Sequence, residues 1–437
     1  MFFTQKKNSI ILKFLIAIKP NPKKHITIIG GGLYGCLTAY HVALKCPSSK
    51  VSIYEAGDHL LSAFDSIQLG GHRLNNGFHG MEIPRSDPLY NFFKDVLKVN
   101  MKKGINNRGL YINGHLVDYN ASRKDWPSPL REQFLVKEPV ELGQDLKVSE
   151  TVSLVYREFL KKIANRYSSV FDDVKGLLLP WFLPADYTVT SDDEGDRFRN
   201  DVRAGRCFPE YAYPEDGLFE SIQGKMEELL LSLGVVIHYG AKFFSLKDAI
   251  GITGSDGVPI SQPDGSQYFF CVSIVAILKG IDGVLCKELL ENKRIFVNAL
   301  YQLKNGSKKN YSEVLVASAR VPSISRISYP LSADDDLAQV EFFMEDFSMA
   351  EDLVTVAMEE LSRLHGICVS DIELVEQKQT RTVFFPSEDL QSSVISSVNE
   401  WVNDLSGNIN IHVRTNSGSI NMAKTWIYAV ENAKMVI

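Results

Sequence analysis

The chain has 437 residues, 45% of them hydrophobic, which is enough for a sizeable buried core and too long for one ordinary domain. Charged residues make up 23% of the chain and the formal net charge is -6, a mildly acidic balance that disfavours a nucleic-acid binder or an anionic-membrane binder. The six cysteines are scattered, with no CxxC pair and no close His/Cys cluster, which predicts free thiols in a reducing cytoplasm and no metal site.

Residues 1–24 precede the first predicted strand and contain one short apolar stretch, Ile10–Ile18, which Lys13 interrupts. A membrane-spanning helix needs about 20 apolar residues, and a signal peptide needs a longer uninterrupted core and a small-residue cleavage site. We therefore expect an N-terminal extension that is loosely ordered or forms a peripheral helix. Weak membrane contact is the alternative, and no stable membrane insertion is expected.

A strand, a glycine-rich turn, a helix and a second strand then follow in order. His25–Ile29 is apolar and rich in branched residues, which predicts a buried strand. Apolar residues recur near helical spacing in Leu33–Leu44, and Lys50–Tyr54 predicts the second strand. This order predicts the βαβ unit of a Rossmann-type dinucleotide-binding domain.

The glycine-rich turn carries the residues that such a site needs. Gly30 permits the tight turn, Gly32 lets a pyrophosphate approach the backbone, and Gly35 lets the helix pack closely on the strand. The start of the helix favours phosphate through its N–H groups and its dipole. Glu55 follows Gly35 by 20 residues, where an acid can accept hydrogen bonds from ribose hydroxyls. The predicted cofactor contacts here are Gly30, Gly32, Leu33, Tyr34, Gly35, Glu55 and Ala56.

The βαβ unit alone does not separate FAD from a nicotinamide cofactor, but the residues after it do. Gly70-Gly71 suits a loop that passes close to a pyrophosphate or a flavin, and Asn75–Gly80 follows at once. In these segments the chain resembles the FAD-dependent superfamily of amine oxidases, protoporphyrinogen oxidases and UDP-galactopyranose mutases, with the mutase branch most similar. The resemblance rests on Gly32–Gly35, Glu55, Gly70-Gly71, Gly77-Phe78-His79 and the glycine hairpin Gly109–Val117.

The resemblance continues, less specifically, into later segments. Tyr213–Leu218 is similar to the family's Pro-x-x-Gly turn, before a helix over Phe219–Leu233 and a strand over Val235–Ile237. Phe243 falls where the family has a backbone contact to adenine. The resemblance implies that Arg414 and the segment Ser419–Ala423, including Asn421 and Met422, lie beneath the flavin. The family usually has a glycine just before Arg414, or an acid in its place, and this chain has Val413 there. It also has Ser417–Ile420 where the mutase branch has tyrosines, so the flavin site is better supported than the mutase reaction.

Three side chains are candidates for chemistry or anion binding. By the resemblance, His79 lies beside the flavin, where it orients the ring or transfers a proton; the alternative is a histidine whose backbone forms a turn. Arg326, in a segment similar to one that approaches substrate in the mutases, is expected to hold an anionic substrate unless it is a surface arginine at a sheet edge. Arg73 is expected at a cofactor phosphate, with His72 as its competitor.

The rest of the chain predicts elements but no further motif. Asp145–Tyr167 has a helical pattern, and 191–206 is a charged segment, read as a solvated loop or an anion-binding lid. Residues 251–267 are rich in turn formers and predict a hairpin insertion. We further expect strands over Phe269–Leu278 and Glu341–Phe347 and an amphipathic helix over Asp352–His365.

We therefore expect an α/β protein with a Rossmann-like FAD-binding domain and a substrate domain of mixed sheet and helices. The FAD-binding domain is expected to be discontinuous, over 25–90, 210–250 and 385–437, with the substrate domain over 91–209 and 251–384. The expected function is that of a cytoplasmic FAD-dependent oxidoreductase acting on a small molecule. A flavin-dependent sugar-nucleotide mutase and a non-catalytic FAD-binding relative are the alternatives.

Overall fold

The computed structural model describes residues 24–77, 80–83, 87–105, 108–112, 115–118, 210–246, 249–262, 265–291, 293–304, 311–317, 324–330, 336–344, 350–384, 388–406, 410–413 and 422–436. The expectations for His79, Arg414, Asn421, the helix Asp145–Tyr167 and the charged segment 191–206 lie outside these residues.

The described elements are, in chain order, β1 (His25–Ile29), α1 (Leu33–Lys45), β2 (Lys50–Tyr54), β3 (Ser66–Leu69), β4 (His72–Asn75), β5 (Met81–Ile83), α2 (Asp87–Asn91), β6 (Met101–Ile105), β7 (Arg108–Ile112), β8 (His115–Asp118), β9 (Glu210–Pro214), α3 (Ser221–Ser232), β10 (Val236–His238), β11 (Lys242–Leu246), β12 (Ala249–Thr253), β13 (Gln267–Phe270), α4 (Ile274–Ile281), α5 (Gly283–Glu291), β14 (Lys293–Leu303), β15 (Glu313–Ala317), β16 (Ile324–Ser328), β17 (Leu337–Met344), α6 (Ala350–His365), β18 (Ile372–Phe384), α7 (Glu388–Ser406), β19 (Asn410–Val413) and α8 (Met422–Met435). A π-helical turn (Phe92–Val96) extends α2, and two short 3₁₀ turns occur at Ser62–Phe64 and Val369–Asp371.

Sheet I is a five-stranded sheet in the order β10-β2-β1-β13-β19, and every neighbouring pair in it is parallel. Ile26 and Ile28 of β1 face a core built with α1, α3 and α8, whereas Ile29 faces a second core built with α4 and α7. A central strand that is buried on both faces needs apolar residues in succession, as the sequence HITII provides. The predicted Rossmann-type βαβ unit is confirmed by β1, α1 and β2.

The strand order of sheet I reverses at β1. The chain passes from β1 to β2 on one side, whereas β13 pairs with β1 on the other side and is itself followed by β19. In open parallel sheets, ligands bind beyond the carboxyl ends of the strands at such a reversal. The glycine-rich turn that follows β1 lies at this point.

Sheet II is a seven-stranded mixed sheet in the order β18-β14-β17-β16-β15-β7-β8. All neighbouring strands are antiparallel except β15 and β7, and the predicted hairpin over 109–117 is confirmed by the pairing of β7 with β8. Helix α6, which confirms the predicted amphipathic helix, covers one face by packing Ala357 and Leu361 among sheet residues such as Val340 and Phe342. Because side chains alternate along a strand, Gln339 and Glu341 belong to the opposite face.

The hairpin β3–β4 joins the two large sheets. In sequence, this hairpin follows β2 of sheet I. Its residues Ile67, Leu69 and Leu74 form a small core with Leu300 and Leu337 of sheet II. Two smaller groups complete the fold: the three-stranded sheet β5-β9-β6 and the hairpin β11–β12.

Two sequence expectations differ from the structure. The strand expected over Phe269–Leu278 is wrong, because β13 ends at Phe270 and Ser273 then caps α4, with its Oγ accepting from Val275 N. A short apolar run does not distinguish a strand from a buried helix. Residues 251–384 were expected to lie in the substrate domain, yet β13 pairs with β1 in sheet I. Within the segment 251–267, which was expected to form a hairpin, Thr253 forms an antiparallel bridge with Pro259 and Ile260 N donates to Ile252 O at 2.7 Å.

The other predicted elements agree more closely. The helix expected over Phe219–Leu233 is α3, the strand expected at Val235–Ile237 is β10, and the strand expected from Glu341 overlaps β17, which begins at Leu337. Among the described residues, none of the helices has the length and apolar character needed to cross a membrane.

Candidate functional site

The turn between β1 and α1 requires glycine at two positions. Gly30 has φ +102° and donates to Tyr54 O at 2.8 Å, and a Cβ there would lie 2.6 Å from Cys271 O. A Cβ at Gly35 would lie 1.9 Å from Gly30 O. Backbone atoms cannot move aside as the end of a flexible side chain can, so these two glycines allow α1 to lie directly against the turn and β13.

Gly32 is different, because its surroundings are open. It is the N-cap residue of α1, with φ −66°, and a Cβ there would meet no atom of the described residues within 4 Å. Within the same residues, no side chain caps this helix end. The first N–H groups of a helix have no partner within the helix, and the positive end of the dipole lies there. This open helix start, at the strand-order reversal of sheet I, is a suitable place for a pyrophosphate.

Glu55 lies beside this turn, and its expected contact with ribose stays a prediction. Its Oε2 accepts from Gly31 N at 2.6 Å, and its Oε1 accepts from Gly57 N at 2.7 Å. The backbone of Glu55 is fixed as well, since Glu55 N donates to His238 O and Glu55 O accepts from Ala241 N, both at 2.9 Å. The carboxylate therefore orders the glycine turn, and each oxygen retains capacity to accept a second hydrogen bond. The adjacent Ala56 is exposed.

The C-terminal helix α8 packs against α1 and donates hydrogen bonds to it. Asn432, which is buried, donates its side-chain amide to Tyr34 Oη at 2.7 Å and to Thr38 Oγ1 at 3.1 Å. Leu33 and Tyr34 are partly buried against the same core. Met422, expected beneath the flavin, is the first residue of α8.

Gly70 and Gly71 form the turn of the β3–β4 hairpin. Both have positive φ, 55° and 82°, as two-residue hairpin turns require. The turn contacts β18: Gly70 N donates to Glu376 Oε2 at 2.6 Å, and a Cβ at Gly70 would lie 2.0 Å from Val375 Cγ1. The positive φ angles account for both glycines, and the contact with Val375 adds a second reason at Gly70. The expected contact with a pyrophosphate or flavin stays a prediction.

Arg73, expected at a cofactor phosphate, has an acidic partner. Its Nε lies 2.8 Å from Ser66 Oγ and 3.1 Å from Glu220 Oε2, and its Nη2 contacts Glu220 Oε1. Burial raises the pKa of Glu220, but the hydrogen bonds from Ser66 and Arg73 and the charge of Arg73 together hold this pKa below its ordinary value. A phosphate would compete with Glu220 for this guanidinium.

Phe243, expected near adenine, belongs to β11 and is paired with Ile252 of β12. Its ring packs edge-on against Phe270, with 5.0 Å between centroids, and joins the core on the α4 and α7 side of sheet I. The adenine contact of its backbone stays a prediction.

Arg326 lies in the interior of sheet II. Strand β16 runs between β15 and β17, so the alternative of a surface arginine at a sheet edge is wrong. Arg326 donates to Glu341 Oε2 through Nε at 2.6 Å, to Glu313 Oε2 through Nη1 at 3.3 Å and to Gly77 O through Nη2 at 2.8 Å. The side chains of Arg326, Glu313 and Glu341 are only 12%, 5% and 1% exposed.

Sequence reasoning missed the other polar residues on this face of sheet II. Asn298 donates to Asn76 Oδ1 at 3.3 Å and to Thr380 Oγ1 at 3.0 Å, and Gln339 donates to Asn75 O at 3.0 Å and to Asn298 Oδ1 at 2.6 Å. Both are fully buried. The available signal was a polar residue within an otherwise apolar strand, as in IFVNALY and LAQVEFF. We call Arg326, Glu313, Glu341, Asn298 and Gln339 the polar face of sheet II.

Together, the fold and the glycine turn define a Rossmann-type α/β protein with a second lobe on a mixed sheet. Residues 28–96 match the family model of NAD(P)-binding Rossmann-like domains. No curated protein matched the sequence.

Solved structures resemble almost the whole chain at low sequence identity. Reduced UDP-galactopyranose mutase is 13% identical, with a TM-score of 0.64, covering 95% of this chain and 94% of that chain. Putrescine oxidase bound to putrescine is 13% identical, with a TM-score of 0.60, covering 95% and 99%. A proposed protoporphyrinogen oxidase from Exiguobacterium sp. 255-15 is 12% identical, with a TM-score of 0.59, covering 94% and 98%. The chain therefore shares its overall fold with these solved structures.

Proposed function

We propose that this protein is an FAD-dependent oxidoreductase that acts on a small molecule. The observation that carries the proposal is the open space over Gly32 at the start of α1, beside the carboxylate of Glu55. This surface matches a dinucleotide, because the helix start favours a pyrophosphate and the acid favours ribose hydroxyls.

The residues available for FAD come from several parts of the chain. The turn Gly30–Gly35 would receive the pyrophosphate, and Glu55 would accept from a ribose while keeping the turn in place through Gly31. Because α8 holds α1 through Asn432, it would keep the phosphate-binding helix in position. Contacts of FAD with Ala56, Gly70, Gly71, Arg73, Phe243, Arg414, Asn421 and Met422 are part of the proposal. Bound FAD would supply the acceptance and release of hydride equivalents.

The proposal assigns cofactor binding to one lobe and substrate binding to the other. We assign β1–β4, the α2 region, and residues 210–291 and 388–436 to the cofactor lobe, and β7, β8 and 293–384 to the substrate lobe. The substrate lobe meets the cofactor lobe through the hairpin β3–β4 and the segment Asn75–Gly77. In this arrangement the protein orients substrate and cofactor while the cofactor carries the electrons. We keep His79 as the proposed residue beside the flavin.

The test begins with the visible absorption spectrum of the purified protein and identification of any cofactor released by heat. Flavin absorption and released FAD are expected, followed by oxidation of an amine or a porphyrinogen in oxidase assays. A colourless protein that takes up no added FAD would refute the proposal. Turnover of a UDP-sugar by dithionite-reduced protein, without net oxidation, would favour a mutase.

A variant pair ties the flavin to the glycine turn. Gly32→Val is expected to abolish FAD uptake, because the side chain would fill the space meant for the pyrophosphate. The matched control is Gly224→Val, at an exposed helical glycine that also has no atom within 4 Å of an added Cβ. Full flavin content in Gly32→Val would remove the site assignment.

A further inference from the structure

The polar face of sheet II forms hydrogen bonds to one short segment that follows from the cofactor lobe. Asn75–Gly77, which begins at the last residue of β4, receives hydrogen bonds from three side chains of three different strands. Gln339 of β17 donates to Asn75 O, Asn298 of β14 donates to Asn76 Oδ1, and Arg326 of β16 donates to Gly77 O. One contact of this kind would be incidental, but three on consecutive residues define the position of the segment.

The same segment also holds the turn before α3. The side chain of Asn75 donates to Gly217 O at 2.6 Å and accepts from Phe219 N at 3.1 Å. Phe219 is fully buried in the core of the cofactor lobe. Asn75 thus connects sheet II, through Gln339, to the helix that covers sheet I.

The charges around Arg326 fit this holding function better than anion binding. All three of its nitrogens have protein partners, and two carboxylates lie within hydrogen-bond or ion-pair distance. An anionic group of a substrate would approach these two carboxylates as well as the guanidinium, and it would have to displace Gly77 O or a carboxylate. A buried charge that is already paired and hydrogen bonded gains little from exchanging one anion for another.

We propose that Arg326, Gln339 and Asn298 are positioning residues: they fix Asn75–Gly77 and so set the placement of the cofactor lobe against the substrate lobe, and Arg326 does not bind an anionic substrate. The expected effect on bound flavin rests on the proposed function. The effect on the segment itself does not.

Hydrogen exchange of the full chain, followed by mass spectrometry, tests the holding function without any ligand. Gln339→Met removes the amide that bonds Asn75 O and leaves no charge behind. Amide exchange in peptides covering 72–77 and 214–222 is expected to rise by about tenfold or more, because the opening of both regions becomes easier. The matched control is Gln302→Met, because Gln302 lies on β14 and bonds Asp336 rather than this segment. Faster exchange confined to β16 and β17 would overturn the proposal.

Arg326→Lys keeps the buried positive charge but cannot reach both carboxylates and Gly77 O together. We expect it to repeat the exchange pattern of Gln339→Met and, in the flavin-containing protein, to change the visible circular dichroism of the flavin. Arg363→Gln is the control, because Arg363 pairs only within its helix with Glu359 and Glu360 among the described ion pairs. Unchanged exchange together with an unchanged flavin signal in Arg326→Lys would overturn the proposal.

Titration with UDP, as an anionic probe, separates the two roles of Arg326. Positioning predicts that Arg326→Lys and Gln339→Met alter UDP binding to the same small extent. Anion binding predicts a large loss in Arg326→Lys alone, which would overturn the proposal. If the wild-type protein holds no flavin, the proposed function fails, whereas the exchange results still decide the positioning role.

Discussion

The carboxylate of Glu55 lies between two backbone amides, with 2.6 Å from Oε2 to Gly31 N and 2.7 Å from Oε1 to Gly57 N. The acid that was predicted to bind ribose therefore also fixes the turn that would receive the pyrophosphate. Charge-assisted hydrogen bonds of this kind contribute about 1.5–3 kcal/mol each.

Glu55→Gln should weaken FAD binding by about tenfold or more, because Gly31 and Gly57 bond different carboxylate oxygens and glutamine replaces one of these oxygens with an NH₂ group, which cannot accept. FAD affinity measured by quenching of flavin fluorescence checks this. Asp58→Asn is a suitable control, because Asp58 lies in the same loop and bonds His59 rather than the glycine turn. Equal affinities of Glu55→Gln and the wild type would separate the carboxylate from the cofactor site.

Gly35→Ala should impair folding, in contrast to substitution at Gly32. The added methyl group would lie 1.9 Å from Gly30 O, so α1 must move away from the turn and from β13. We expect the free energy of unfolding to fall by about 3 kcal/mol or more, which is at or above the upper end of the usual cost of an overpacked core. Urea unfolding checks the prediction. A Gly35→Ala protein with wild-type stability would contradict the close approach of helix and turn.

Exchanging Arg73 and Glu220 tests whether Arg73 contacts a phosphate. The pair is partly exposed, with side-chain exposures of 51% and 28%, so its contribution to stability is small, about 1 kcal/mol or less. The double variant Arg73→Glu/Glu220→Arg should restore the stability lost in either single variant. If it also restores FAD affinity, Arg73 serves the ion pair; if affinity stays low, the arginine at this position contacts the cofactor.

Acidic pH should loosen the contact between α1 and α8 through His41. Its ring packs edge-on against Trp426, with 4.6 Å between centroids, and its buried Nε2 has no hydrogen-bond partner among the described residues. Burial, and to a smaller extent the charge of Lys45, lowers the pKa of His41 from 6.5 to about 4. The unfolded chain therefore binds the proton more readily between these two values, and stability falls as pH decreases from 6.5 towards 4.

His41→Phe should remove part of this dependence, roughly 1 kcal/mol between pH 7 and pH 5 after allowance for solvent screening. Urea unfolding at the two pH values gives the measurement. Burial also lowers the pKa values of His238 and His412, so the stability of the variant will still depend on pH. The prediction therefore concerns the difference in pH dependence between the variant and the wild type. An identical pH dependence of the two proteins would show that His41 protonates freely in the fold.

Local information explains what the sequence could predict. The turn, the helix and the acid of the βαβ unit are encoded within about thirty residues, and each requirement, such as an absent Cβ at Gly35, acts on near neighbours. Helix α6 was predictable for the same reason, because its apolar face repeats at helical spacing. The βαβ unit can therefore be predicted from its own sequence without knowledge of the remaining chain.

Non-local pairing explains what the sequence could not predict. The apolar run around Phe269 was assigned to the substrate domain because nothing near it in sequence indicates that β1 is its neighbour. Arg326 was expected to bind an anion because its segment resembles one that approaches substrate in the mutases. Its pairing with Glu341 could not be predicted, because it depends on the alignment of β16 with β17. Its contact with Gly77 depends on the meeting of two lobes and has no local signature.

The hydrogen bond from Asn432 to Tyr34 joins residues 398 positions apart. During synthesis the N-terminal βαβ unit leaves the ribosome early, but β13, β19 and α8, which cover it, arrive much later. At a synthesis rate of about 5–20 residues per second, its apolar surfaces would wait for tens of seconds without their final partners. The βαβ unit, which is the easiest part of the protein to recognise, is thus among the last to be fully packed, and nascent chains should depend on chaperones until α8 has been made.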